Sequence, residues 1–247
     1  MTTHERMPAR EQNATNERTG DDGQRGGGVE SALSQTRLLL IIAAAAGLAY
    51  GVSLRDAPYP DQAAAKVLMC ALLFLAAARH EPMRERWWLM TALAASAVGD
   101  ALLALPQLSI SFVGGLGAFL LAHLAYCALL APRAIGIAGW RRVAAPLLWA
   151  AAVAMYFVFF PHLAVLAIPV AVYMFALSAM ATLALIARPS GVALPLGGLA
   201  FVASDAMIGI DRFVGAFAGS AYAIWLSYVL AQVSIATGVL LIGNARR

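Results

Sequence analysis

The sequence predicts an all-α fold, a polytopic membrane helical bundle of about eight transmembrane helices with both termini cytoplasmic. Composition is the first reason: hydrophobic residues fill 62% of the 247 positions and charged residues 12%, against about 25% charged in a soluble domain. Eleven of the 30 charges fall in the first 37 residues, which leaves 19 for the other 210, too few to cover a water-facing surface. The second reason is length, because the apolar residues come in runs close to the 20 or so that cross a bilayer. The third is the side on which arginine occurs.

The chain divides into a tail over residues 1–34 and an eight-helix transmembrane domain over 35–247. The tail is rich in Gly, Asn, Gln, Thr and charge, has no apolar run that could pack, and is expected to be disordered. It lacks the short apolar stretch that follows the basic start of a signal peptide, so the first apolar segment should stay in the mature protein. Eight segments then follow, at 38–54, 62–79, 87–105, 109–131, 143–160, 162–187, 192–211 and 217–242, joined by short connections. Alternating the spans puts 14 of the 16 arginines on one side, in the tail, around Arg79 and Arg86, at Arg133, Arg141, Arg142 and Arg188, and at the C-terminus. Arg55 and Arg212 remain for the other side, and the positive-inside rule makes the crowded side cytoplasmic.

Several features settle into packing roles. Gly47 with Gly51, and Gly114 with Gly117, are small-residue pairs on helix faces that let helices approach closely within the chain. Pro169, inside a span, is expected to kink its helix and free a carbonyl. Trp87, Trp88, Trp140 and Trp149 are expected in the interfacial belt. Cys70 and Cys127 lie in apolar runs and form no disulfide framework, and neither they nor His4, His80, His123 and His162 have a metal-ligand spacing. Scattered arginines without a basic patch argue against nucleic-acid binding. No feature specifies an oligomeric state.

Charge placed in hydrocarbon carries an insertion cost of about 2.5–3.5 kcal/mol per residue. Lys66 lies early in the second span, Asp100 late in the third, Asp205 late in the seventh, and Asp211 and Arg212 at the end of that span, all in the half of the bilayer away from the cytoplasm. Ser96, His123, Tyr126, Tyr173, Ser204, Tyr228 and Gln232 add uncharged polar groups. Asp205 and Arg212 are seven apart and share a helix face, so they are expected to line one cavity, with Asp211 turned away by about 100°. Intramembrane carboxylates of this kind mark ion, proton or substrate sites, or glue helices as buried pairs with Lys66 or Arg212.

Four stretches carry a family resemblance: SAVGDALLALPQLSISFVGGLGAFLLAHLAYCALL (96–130), IPVAVYMFALSAMA (168–181), GGLAFVASDAMIGIDRF (197–213) and SYVLAQVSI (227–235). Their Gly-Asp, His and Tyr, Pro and Tyr, Phe-x-x-Ser-Asp with a following Arg-Phe, and Tyr-x-x-x-Gln resemble the YhhN-type lysoplasmalogenase family. The family's usual Lys-Pro is replaced here by Lys66-Val67. The resemblance implies an integral membrane hydrolase that cleaves the vinyl ether bond of lysoplasmalogens to a fatty aldehyde and glycerophosphoethanolamine or glycerophosphocholine. It assigns the functional carboxylates to Asp100 and Asp205, with Lys66, His123, Tyr173, Arg212, Tyr228 and Gln232 as supporting positions.

Vinyl ether hydrolysis begins with proton transfer to the β-carbon and passes through an oxocarbenium ion, so it calls for an acid and a nearby anion, as glycoside hydrolysis does. Taking a carboxyl out of water favours its protonated form, and a cation beside it favours the ionised one. Asp100 and Asp205 are expected in these two roles, and the sequence does not say which is the acid, although Asp205, on the face of Arg212, leans towards the ionised partner; Lys66 and Arg212 are expected on the substrate phosphate. This chemistry needs no metal or organic cofactor. The partners expected are a lysophospholipid substrate and the bilayer itself. A proton- or cation-coupled transporter, or a lipid-binding membrane protein, would use the same carboxylates. The strong preference for Arg over Lys is the mark of a GC-rich genome and points to a bacterial cytoplasmic (inner) membrane.

Overall fold

In hydrocarbon every backbone N–H and C=O must find its partner within the segment, and Ala- and Leu-rich runs meet that demand as helices. The computed structural model describes residues 33–80, 86–136, 138–188 and 191–242. Among these residues the chain is helix and turn, with one isolated antiparallel bridge between Ala134 and Ala187. Eight helices lie where eight apolar segments were expected: α1 (Leu33–Asp56), α2 (Gln62–Arg79), α3 (Arg86–Leu103), α4 (Ser111–Leu130), α5 (Arg141–Leu163), α6 (Ala167–Ile186), α7 (Ala193–Phe213) and α8 (Ser220–Thr237), the last running on into a π turn over Gly238–Ile242. The tail expected over residues 1–34 falls, up to residue 32, outside the described residues.

Among the described residues six stretches are long and apolar enough to cross a membrane, fewer than the eight spans expected. One of them, Arg141–Ile186, carries both α5 and α6. The turn at Ala164–Leu166 separates the two, and Trp149 Nε1 donates to Thr182 Oγ1 at 3.0 Å across them. These residues lie nearly equally far from the turn, so α5 and α6 run antiparallel. α3 is not among the six, because Arg86, Trp87, Trp88 and Asp100 dilute its eighteen residues. The protein is an all-helical, multi-pass membrane protein.

Helices α2, α3, α4, α6, α7 and α8 pack each against the next, and α8 returns to α2, which closes a ring around a centre holding Tyr126 and Phe201. α1 lies outside α2 and α8, where Trp225 Nε1 donates to the Gly47 carbonyl at 2.6 Å. α5 lies outside α6 and α7, with Val153, Phe157 and Phe160 exposed on its outer face. That apolar exposure belongs against lipid.

Several local expectations change. α5 continues through Pro161 and turns three residues later than expected, at Ala164. Pro169 does not kink α6, because it falls in the first helical turn, where its missing N–H would have had no partner. Gly47 packs against Met69 and Val229, Gly51 against Trp225 and Gly114 against Leu102, but nothing lies within 4 Å of the space a Gly117 side chain would occupy. Trp149 ties α5 to α6, whereas Trp87, Trp88 and Trp140 are exposed, two of them under Arg86 and Arg141 as expected at an interface.

Gly197 carries the tightest backbone approach. A Cβ there would sit 3.0 Å from both the Ala231 carbonyl oxygen and the Ile235 amide nitrogen, backbone atoms of α8 that cannot rotate away. Gly197→Ala therefore forces α7 from α8 and should lower stability by about 1–3 kcal/mol, read as a fall in melting temperature in detergent. Gly117→Ala should leave it unchanged.

Candidate active site

Three helices each present polar residues four apart, so that both members of each pair face the ring's centre: Lys66 and Cys70 on α2, Ser96 and Asp100 on α3, and Tyr228 and Gln232 on α8. They converge on Asp100, whose side chain is 2% exposed. Lys66 Nζ lies 3.8 Å from Asp100 Oδ1, while Oδ2 accepts from the Tyr228 hydroxyl at 2.7 Å and from Cys70 Sγ at 3.6 Å. Gln232 Nε2 donates to Ser96 Oγ at 3.0 Å and to the Tyr228 oxygen at 3.1 Å, and the Tyr126 hydroxyl of α4 donates to Gln232 Oε1. The Lys66 ammonium also lies over the Trp225 ring, 5.9 Å from its centre. Both oxygens of Asp100 are thus engaged.

Asp205 on α7 is set apart from this network. Its side chain is 7% exposed, and Oδ2 accepts from the Tyr173 hydroxyl of α6 at 2.6 Å. His123 Nε2 of α4 stands 3.6 Å from the same oxygen. Phe201, one helical turn before Asp205, has its ring 4.8 Å from that of His123 on one side and 5.6 Å from that of Tyr228 on the other. With Phe119, 5.8 Å from Tyr228, it forms an aromatic partition between the two carboxylates.

Asp205 and Tyr173, not Asp100, open onto a cavity of about 140 Å³ between α5 and the ring. Its walls are apolar, built by side chains such as Leu116, Phe119, Met155, Phe159 and Met174. Among the described residues Asp205 is the one charged side chain in its lining. Phe112 and Phe213, at the start of α4 and the end of α7, close one end. There the exposed Arg212 guanidinium stacks over the Phe112 ring at 4.7 Å.

The pairing expected along α7 does not form. Among the described residues no ion pair joins Arg212 to Asp205, since seven residues put them two turns, about 10 Å, apart along the axis. Lys66, expected on a substrate phosphate, lies within ion-pair distance of Asp100. Cys70 was read as an apolar-run residue, yet it bonds both Asp100 and Tyr228. Its place four residues after Lys66, on the same face, was the available signal. Among the described residues no three His, Cys, Asp or Glu side chains converge to hold a metal ion.

Fold and site together define a multi-pass membrane protein with one carboxyl group facing an apolar cleft and a second within ion-pair distance of a lysine. The chain belongs to the YhhN family, whose pattern matches residues 62–239, from α2 to the turn after α8. It is 45% identical over 214 residues to proteins named lysoplasmalogenase from Mycobacterium bovis and Mycobacterium tuberculosis, a match that covers 80% of this chain and 82% of each relative. No solved structure matches it.

A buried ion pair that loses one member leaves a charge uncompensated, at a cost of about 3–5 kcal/mol. Lys66→Met should therefore destabilise the protein by about 3 kcal/mol, and adding Asp100→Asn to it should restore part of the loss. Melting temperatures of the two single variants and the double variant, compared as a cycle, check this.

Proposed function

We propose that the protein is a lysoplasmalogenase, a membrane-embedded hydrolase that opens the vinyl ether of an alkenyl glycerophosphoethanolamine or glycerophosphocholine. The observation that carries this reading is Asp205: a carboxyl with no Lys or Arg within ion-pair distance among the described residues, facing a cavity with apolar walls. The relatives' name supplies the reaction. The alkenyl chain occupies the cleft, and Arg212, at its end, meets the phosphate.

Asp205 is the acid. Its proton passes to the β-carbon of the vinyl ether, the double bond's electron pair forms the new C–H bond, and the ether oxygen's lone pair completes the oxocarbenium ion. Water adds to the carbon beside that oxygen and returns a proton to Asp205, leaving a hemiacetal. Collapse breaks the C–O bond, moves the hydroxyl proton to the departing oxygen and releases aldehyde and glycerophospho-alcohol. Asp100 is the ionised carboxylate, facing Lys66 and accepting from Tyr228, and Gln232 holds Tyr228 in place. Tyr173 orients Asp205. With Lys66 beside Asp100, no Lys or Arg among the described residues stands within ion-pair distance of Asp205 to favour its ionised form.

All eight helices are read as spanning, with both termini on the cytoplasmic side of a bacterial inner membrane. The 14-to-2 division of arginines supports this topology. The tail over residues 1–34 and the single bundle over 35–247 remain the domain division. In this topology Arg212 and the Phe112 end of the cleft lie away from the cytoplasm.

Detergent-purified protein, with no gradient present, should release aldehyde from a 1-alkenyl lysolipid and none from the 1-acyl analogue. Asp205→Asn and Asp100→Asn should each reduce that release by at least about a hundredfold while the protein still folds. Near-normal release by both variants would contradict the mechanism, and ion flux in vesicles without turnover would favour a transporter.

A further inference from the structure

Among the described residues His123 is the buried group at the acid that the mechanism leaves without a task. It lies on α4 with no exposed surface, and neither ring nitrogen has a hydrogen-bond partner among the described residues. An unsatisfied buried polar group is destabilising and calls for an explanation. The ring is held edge-on between Tyr173, 5.1 Å away, and Phe201, 4.8 Å away, which aim Nε2 at Asp205 Oδ2 across 3.6 Å. This is a few tenths of an ångström beyond hydrogen-bond length. Oδ2 already accepts from Tyr173, so a protonated Asp205 needs nothing more from that side. Its ionised form does.

We infer that His123 is a positioning residue that acts through Asp205, as a neutral imidazole whose Nε2–H closes onto Oδ2 when Asp205 gives up its proton. This role rests on Asp205 being the acid. No proton leaves His123. The O–H bond of Asp205 breaks, the proton forms the C–H bond at the β-carbon, the electron pair stays on the carboxylate, and His123 and Tyr173 both donate to it until water returns the proton. The His123 contact is long in the ground state and shortens as charge develops, so it favours the transition state over bound substrate. Such a group should affect kcat and leave KM nearly alone.

The test replaces the ring's donor without altering its bulk. Purified wild type, His123→Phe and His123→Gln are assayed for aldehyde release from a 1-alkenyl-2-hydroxy-glycerophosphoethanolamine, and their melting temperatures are measured in the same detergent. His123→Phe should lower kcat about a hundredfold, with KM within threefold and a melting temperature equal to or above that of wild type, because an unpaired polar ring has been replaced by an apolar one. His123→Gln, which restores an N–H, should recover at least tenfold of the loss. A purely packing role predicts the reverse: retained kcat wherever the protein folds, and no advantage for Gln. If His123→Phe does not fold, His123→Leu against His123→Gln makes the same comparison. Wild-type turnover with kcat of the donorless variant within threefold, or with Gln no better than it, overturns the role of His123 alone. No aldehyde from the wild type overturns the reading of Asp205 and the role together.

Discussion

A carboxyl group inside a membrane bundle must be balanced by a cation or by a proton, and this bundle places two carboxyls near one cation. Lys66 reaches Asp100 and stops there, with Oδ1 of that residue at 3.8 Å and the other oxygen taken by Tyr228 and Cys70. Asp205 is left with the phenol of Tyr173 and the imidazole of His123. From this unequal sharing follows the division of labour at the site. In the proposed mechanism the carboxylate beside Lys66 is a fixed anion within the ring, and the other is a proton carrier at the wall of the cleft.

The helices produce that asymmetry by simple means. Residues four apart on α2, α3 and α8 turn their polar groups inward together, so the Lys66 network is satisfied across three helices and reached from a fourth by Tyr126. One turn of α7 separates Phe201 from Asp205, which puts the aromatic partition and the acid on the same helix and fixes their relative positions. Gly197, near the other end of α7, brings this helix against α8, and Gly198 brings it against α6, where a side chain would meet Ala184 and the Ala181 backbone. Close packing at these glycines carries the acid on α7 to the tyrosine on α6.

Much of this was legible before any coordinates. Runs of apolar residues located eight helices, and the expense of charge in hydrocarbon singled out Lys66, Asp100 and Asp205. What the sequence did not reveal was which cation serves which carboxylate. Spacing reports neighbours on one helix, and it put Arg212 on the face of Asp205, but contact depends also on height along the axis and on which helices touch. Two turns of rise keep Arg212 at the end of the cleft over Phe112. The pairing of Lys66 with Asp100 is set by how α2 packs on α3, and this has no local signature. The count of membrane-crossing stretches also hid structure: α5 and α6 share one apolar run, while the polar cargo of α3 lowers its hydropathy below that of its neighbours.

The central claim is that the protein's acid protonates carbon and that water then attacks the carbon on the alkenyl side of the ether oxygen. Turnover of a 1-alkenyl lysolipid in water carrying both deuterium and heavy oxygen, with both products weighed by mass spectrometry, tests it most directly. The account predicts one deuterium on carbon 2 of the aldehyde and no heavy oxygen in the glycerophospho-alcohol. Heavy oxygen in the glycerophospho-alcohol, or an aldehyde with no deuterium at carbon 2, would contradict it.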